Sequence, residues 1–306
     1  MYQPNESRYD NAVYRYCGKS GLQLPPVALG LWQNFGKLDE YAEMKKVVLT
    51  AFDRGVTYFD LADNYGPPPG EAERNFGRIL REELHAYRDE IVISTKAGYD
   101  MWPGPYGTYG SRKHMLSGLD ASLKRLGLDY VDIFYHHRPD PNTPLEESMS
   151  ALADAVRAGK AVYPAVSNYP VQLMVRAAQY MQQAGRPLIA NQVRCNLLDR
   201  HIIDEGLPEA AAQNGIGLTI YSPLAQGLLT ETSAGGGVGR RAQTDARMKA
   251  RYADPETAAA VRNYAAEAHA AGKTLNRYAI EWCLSLESTA SVIIGARGCD
   301  QLLENL

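Results

Sequence analysis

The stretch SRKHMLSGLDASLKRLGLDYVDIFYHH, residues 111–137, carries the change of rhythm that decides the fold. Leu116, Leu119, Leu123 and Leu126 recur at the three- and four-residue spacing of one helix face, and Gly127 supplies a stop. VDIFYHH (131–137) follows, a short run rich in strand formers. A helix that hands over to a buried strand within a few residues is half of the repeating unit of a parallel sheet.

The same alternation runs outward in both directions. VALGLW (27–32), TYFDLA (57–62), EIVISTKA (90–97), AVYPAVSN (161–168), LIANQVR (188–194), GLTIYSPL (217–224) and SVIIGA (291–296) complete a set of eight strands. Several are almost unbroken in Val, Ile and Leu, as strands covered on both faces are. Between them, 39–54 has its stripe at Met44, Val47, Val48 and Ala51, and 71–84, 145–158, 171–184, 204–214 and 255–271 read as helices too. Eight strands alternating with helices predict an α/β fold, a (β/α)8 TIM barrel, in preference to a doubly wound open sheet. YRYCGKSGLQLP (14–25) reads as a hairpin turning at Lys19-Ser20-Gly21 and closing the bottom of the barrel. Two stretches, 98–112 and roughly 225–254, read as long loops, which in a compact domain are functional lids or disordered.

Composition narrows the function classes. A chain of 306 residues with 45% hydrophobic and 22% charged residues can bury a sizeable core, here read as one domain over 1–306. The net charge of -3 offers no basic face for nucleic acid. No apolar run reaches membrane-spanning length, and MYQPNESRYD lacks the regions of a secretory signal. Cys17, Cys195, Cys283 and Cys299 are far apart and form no CxxC, so reduced thiols in a cytoplasmic protein are expected. GKS (18–20) and GKT (272–274) lack the glycine a phosphate loop needs, since Val13 and Glu267 stand there. No HExxH or carboxylate cluster points to a metal.

A barrel of this kind works at the C-terminal ends of its strands. Those ends deliver Asp60 with Tyr65 after it, Lys96, His136-His137, Ser167-Asn168, Gln192 and Tyr221. Carbonyl reduction needs such a set. Hydride arriving at carbon leaves charge on oxygen, so an acid must protonate it and donors must stabilise it. A phenol has an ordinary pKa of about 10, and an ammonium beside Tyr65 would pull it down. Asp60 would hold Lys96 charged, and a neutral His137 could orient the carbonyl. Each residue also has a plainer role open to it: Asp60 as a helix cap, Lys96 as a solvated lysine, either histidine as a structural group, and Ser167-Asn168 as a helix start before Pro170. Together, in order along successive strand ends, they favour the chemistry.

With YRYCGKSGLQLP, FDLADNYG, ISTKAGYD, VDIFYHHRPD, VSNY, NLLDR, YSPLAQGLL, IIGA and QLLENL quoted in order, the chain resembles the aldo-keto reductases over essentially its whole length. That resemblance implies a nicotinamide cofactor, NADPH with NADH as the alternative, and reduction of aldehydes or ketones to alcohols. It implies Tyr65 as proton donor, with Asp60, Lys96 and His137 completing a catalytic tetrad. Ser167, Asn168 and Gln192 would hold the carboxamide and Tyr221 would stack on the nicotinamide. Ser222, Pro223, Leu224 and Gly227 would line the pyrophosphate, and Arg297, Gln301, Glu304 and Asn305 the adenosine end. Trp32 and Trp102, with Tyr65 and His137, are the substrate-pocket candidates, and Tyr99 a further wall. LGLWQNFG, NYGPPPGEAERNFG and STKAGYDMWPGPYG are similar to a bacterial branch of L-glyceraldehyde 3-phosphate reductases, related to potassium-channel β subunits. Small or phosphorylated aldehydes and assembly into homo-oligomers are expected on that basis. Arg112 and Arg138 are the candidate cations for a substrate phosphate, and Arg240 or Arg241 for the cofactor pyrophosphate.

The chain departs from the pattern in three places. Arg297-Gly298 follows IIGA where Ser and a basic or amide residue are usual, so Arg297 is expected to meet a 2′-phosphate or the NADPH preference to weaken. Cys195 replaces a tyrosine. The chain ends at Leu306 where a helical tail is usual, so a tail absent from this sequence or a more open pocket is expected. Two rival functions remain: an NADPH-binding regulatory module with little turnover, and a Schiff-base lyase using Lys96.

Overall fold

Strands with two apolar faces need cover on both sides, and the computed structural model, which describes residues 2–239, 242 and 245–306, supplies it. Eight strands pair in parallel into a closed barrel: β3 (Val27–Gly30), β4 (Tyr58–Asp60), β5 (Val92–Ala97), β6 (Val131–His136), β7 (Ala161–Ser167), β8 (Ala190–Arg194), β9 (Gly217–Tyr221) and β10 (Thr289–Ile294), which returns to β3. Each of the eight expected runs becomes one of these strands, with ends shifted by a few residues. Two short strands come first, β1 (Arg15–Tyr16) and β2 (Gln23–Leu24), paired antiparallel. This hairpin sits at the bottom as expected: Lys19 donates its backbone N–H to the Gly215 carbonyl just before β9, at 2.9 Å. Gly18 there has φ +58°, and a Cβ on it would lie 2.1 Å from the Gly215 oxygen, so no side chain fits.

The alternation of strand side chains sorts the core into two layers. On β5, Ser94 and Lys96 point into the barrel, while Ile93 and Ala97 face out and join the cluster that includes Phe59, Phe76, Leu119 and Leu126. The inner cluster is smaller and holds Leu24, Ala28, Tyr58, Ile133 and Tyr135.

The helices that cover the barrel are α1 (Tyr41–Asp53), α2 (Glu71–Ile79), α3 (Arg112–Leu126), α4 (Leu145–Arg157) and α5 (Val171–Gln183). After β8 come α6 (His201–Asp204) and α7 (Leu207–Gln213), and after β9 come α8 (Glu231–Ala234), α9 (Ala246–Ala253), α10 (Pro255–Ala270) and α11 (Leu275–Ser285). The last element is α12 (Cys299–Glu304). α3 shows why they form. The Ser111 side chain caps it by accepting from the His114 N–H, and Gly127 ends it at φ +71° with its N–H on the Leu123 carbonyl. Leu119, Leu123 and Leu126 are buried, at roughly 1.5–3 kcal/mol each, which outweighs the marginal stability of an isolated helix of this length.

The expectation of a long loop over 225–254 is corrected. Leu228, Leu229 and Met248 pack against Val261, Ala265 and Ala279 in a third cluster, and the Asp245 side chain caps α9. Arg240 and Arg241 lie outside the described residues. The helix α11 was not expected, although Leu275, Ala279, Ile280 and Cys283 carry its buried face. Loop 98–112 is tied down at several points: Tyr109 N–H donates to the Gly98 carbonyl, Gly110 N–H to Asp140, and Ser148 Oγ to the Gly110 carbonyl.

Among the described residues no helix is long and apolar enough to cross a membrane, and no group of three or more His, Cys, Asp or Glu could hold a metal. The four cysteines are free thiols.

Candidate active site

β4 and β5 run side by side, with Asp60 in register with Ser94, so two residues later Lys96 stands above Asp60 on the inner wall. Lys96 is fully buried, and its Nζ donates to Asp60 Oδ1 at 2.8 Å and Oδ2 at 2.7 Å. It also donates to the Leu61 carbonyl at 2.6 Å and reaches the Tyr65 hydroxyl at 3.4 Å. Tyr65 is therefore within touch of the cation.

Asp60 is the hub of the barrel's upper end. Besides Lys96 it accepts from Ser94 Oγ at 2.8 Å, Gln192 Nε2 at 2.9 Å and Tyr58 Oη at 3.2 Å. Tyr58 is in turn bonded to Tyr135 Oη at 3.1 Å. Sequence reasoning missed this lower tier of Tyr58, Ser94 and Tyr135. The signal was present, since each stands two residues before Asp60, Lys96 or His137 and so shares its inward face.

The electrostatics differ from the expectation in one respect. The Lys96 ammonium was expected to make Tyr65 acidic. Instead burial, followed by the nearby Asp60 carboxylate, holds the Tyr65 hydroxyl well above the ordinary phenol value. Asp60 spends the lysine's charge, so little net positive field reaches the phenol. Burial also pulls the Lys96 ammonium below its usual value, against the pull of Asp60.

His137 follows β6 and points inward. Its ring centroid is 6.0 Å from that of Tyr65, and Tyr99 meets it edge-on at 4.6 Å. Burial first, then the Lys96 charge, holds its imidazole well below the ordinary value, and its buried Nδ1 has no hydrogen-bond partner. His136 points outward to the Tyr169 hydroxyl at 2.7 Å, which settles which of the two adjacent histidines faces the mouth. A pH profile of kcat/KM should accordingly show no acid limb near 6.5 from His137; a limb there that disappears in His137→Asn would contradict its neutral state.

Ser167, Asn168, Gln192 and Tyr221 form one chain of contacts on the opposite wall. Ser167 Oγ donates to the Gln192 carbonyl at 2.9 Å, Asn168 Nδ2 to Ser167 Oγ at 3.1 Å, and Tyr221 Oη to Asn168 Oδ1 at 2.9 Å. Beyond β9 the backbone takes positive φ at Ser222, Ala225, Gln226 and Gly227, with Pro223 and Leu224 between them. Asn305 is buried, with Oδ1 accepting from Asn276 and Nδ2 left unpartnered, while Gln301 Oε1 accepts from the Arg297 N–H at 3.1 Å. Glu304 is exposed.

The substrate candidates separate. Trp32 stands 6.4 Å from Tyr65, ring to ring, whereas Trp102 rests on His114 at 5.0 Å. Arg112 turns away to Ser150 and Asp154 in the helical layer. Arg138 is sandwiched between Tyr99 and Tyr109 and donates to the Gly98 carbonyl and Thr108 Oγ1, so it braces the loop that carries Tyr99.

The sequence profile of the aldo/keto reductase family matches residues 26–306. The chain belongs to the aldo/keto reductase family. Its barrel and its oxidoreductase class follow from that membership. Proteins named L-glyceraldehyde 3-phosphate reductase from Escherichia coli K12 and O157:H7 are each 47% identical to it over 316 aligned positions, covering 100% of this chain and 90% of theirs. A probable voltage-gated potassium channel subunit beta from Arabidopsis thaliana is 36% identical over 306 positions, covering 96% and 90%. Aldo/keto reductases act on small carbonyl compounds, generally with NAD(P)H.

Proposed function

We propose that this protein reduces small aldehydes with NADPH, phosphorylated ones such as L-glyceraldehyde 3-phosphate among them, with Tyr65 as proton donor. One observation carries the reading: the Tyr65 hydroxyl lies 3.4 Å from Lys96 Nζ, and that ammonium is locked by both oxygens of Asp60. The names of the bacterial relatives support the substrate class.

The residues fit a dinucleotide. Ser167, Asn168 and Gln192 offer the mixed donors and acceptors a carboxamide needs, and the Tyr221 ring lies beside them. Left-handed backbone after β9 suits a loop that turns N–H groups toward a diphosphate. The unpartnered buried Nδ2 of Asn305 is a donor waiting for an acceptor. Bound there, a reduced nicotinamide supplies the hydride.

The rest is done by the chain. His137, neutral because it is buried, donates a hydrogen bond to the carbonyl oxygen and fixes its orientation. Tyr65 passes its hydroxyl proton to that oxygen as negative charge develops on it. Its raised pKa keeps the proton in place until then. Lys96 stabilises the phenolate left behind, and Asp60 keeps the ammonium in position.

Lys96 is poorly placed to be a Schiff-base nucleophile. Its nitrogen is buried and its N–H groups are engaged by Asp60 and the Leu61 carbonyl, which leaves no lone pair facing the mouth. The test is NADPH and NADH oxidation with glyceraldehyde 3-phosphate and glyceraldehyde, repeated with Arg297→Ala. NADPH-dependent turnover is expected, with the NADPH preference shrinking about tenfold or more in the variant, as loss of a charge-assisted contact predicts. No turnover with either aldehyde would leave the regulatory-module reading in its place.

A further inference from the structure

A phosphorylated substrate, or the phosphates of a cofactor, must find a cation at the mouth, and most cations near it are already committed. Lys96 is neutralised by Asp60, and Arg138 and Arg112 are spent on the loop and the helical layer. Arg194, the last residue of β8, is paired among the described residues with Asp199 alone and keeps a half-exposed guanidinium. It stands two residues after Gln192, whose side chain reaches Asp60 across the barrel, so strand alternation turns Arg194 to the same inner side, at the rim. It is in register with Tyr221, the ring beside the carboxamide group of residues. Neighbouring strands lie about 4.8 Å apart, so the guanidinium and the phenol share one edge of the mouth. The Arg194 charge acts on the Tyr221 hydroxyl, partly offsetting the effect of burial.

The guanidinium is also tethered. Asp199 Oδ2 forms an ion pair with it, 2.7 Å from Nε, and the same carboxylate is steadied by His201 Nδ1 on its other oxygen, at 2.7 Å. Asp199 itself is fixed by a two-way backbone pairing with Asn196. Both terminal nitrogens of Arg194 have no partner among the described residues, and the side chain is 53% exposed. The terminal nitrogens of a guanidinium present a planar pair of donors, the geometry that matches two oxygens of a phosphate.

We infer that Arg194 is a phosphate-anchoring side chain of the active-site mouth, set by Asp199 to grip a phosphoryl group of the reactants, foremost that of a phosphorylated aldehyde. This rests on the reductase reading above. It explains a phosphate preference without Arg112 or Arg138, and it leaves the proton-transfer machinery of Tyr65, Lys96 and His137 untouched.

Two measurements on Arg194→Ala and Arg194→Lys test it. The first is the ratio of kcat/KM for glyceraldehyde 3-phosphate to that for glyceraldehyde with NADPH. The second, independent of turnover, is binding of inorganic phosphate and of NADPH to the protein, followed by tryptophan fluorescence. Arg194→Ala should lower the ratio about 10- to 100-fold and weaken inorganic phosphate binding, with Arg194→Lys recovering part of both. An unchanged ratio with NADPH binding weakened by a similar factor would keep the anchoring role and assign it to the cofactor's phosphates. If ratio, phosphate binding and NADPH binding all match wild type, the inference is overturned. Should the wild type reduce neither aldehyde, the functional reading falls, while loss of phosphate binding in Arg194→Ala would still report on the anchor.

Discussion

Tyr65→Phe should lower kcat for aldehyde reduction by about 10²–10⁴-fold, the range for losing a positioned general acid, while NADPH still binds within a few-fold of wild type. The substitution removes one oxygen and leaves the ring against Trp32 and His137. The lost contact to Lys96 is long, at 3.4 Å, so stability should change by less than about 1 kcal/mol. A collapse in rate could then not be ascribed to unfolding. Single-turnover oxidation of NADPH, alongside a fluorescence titration of the cofactor, separates the two quantities. A loss smaller than tenfold would remove Tyr65 from the proton-donor role, and negligible rates in both variant and wild type would favour the regulatory module.

The second large effect concerns stability. Asp60→Ala takes away the acceptor of hydrogen bonds from Lys96, Ser94, Tyr58 and Gln192 and strands a fully buried ammonium. Breaking a buried ion pair from one side costs about 3–5 kcal/mol, because the remaining charge has no water to turn to. That is a large share of the stability of an ordinary domain. The urea midpoint should fall accordingly, with the m-value unchanged if the transition stays two-state. Adding Lys96→Met to Asp60→Ala should recover a good part of the loss, since the double variant has no orphaned charge to bury. If the double variant is less stable than the single one by the full cost of a second deletion, the two side chains are not an energetic unit. Activity should be lost in both.

How much of the site could be read in advance follows from distance along the chain. Asp60 and Tyr65 are close neighbours in FDLADNYG, and Lys96 and His137 end the next two strands, so strand-by-strand reading brought them to one rim. The outcomes that needed three dimensions were matters of balance. The sign of the Tyr65 shift turns first on its burial and then on the Asp60 carboxylate that pairs the ammonium, neither of which a spacing rule supplies. Arg112 and Arg194 look alike as letters. One folds back onto α4 and the other ends on the inner edge of β8, because strand parity and helix packing, rather than sequence position, decide where each charge lies.

The amino-acid order alone determined the eight-fold alternation of strand and helix, the hairpin beneath it and the rim on which the polar residues gather. These are set by period and by local stop signals, which act over a few residues. Only the tertiary structure decided that Tyr58, Ser94 and Tyr135 form a tier under Asp60, that the stretch after β9 folds into α8 and α9 over its own small core, and that Tyr99 rather than Trp102 lies against His137. Each depends on side chains meeting across strands far apart in sequence, where ring closure sets the neighbours and burial sets the energies.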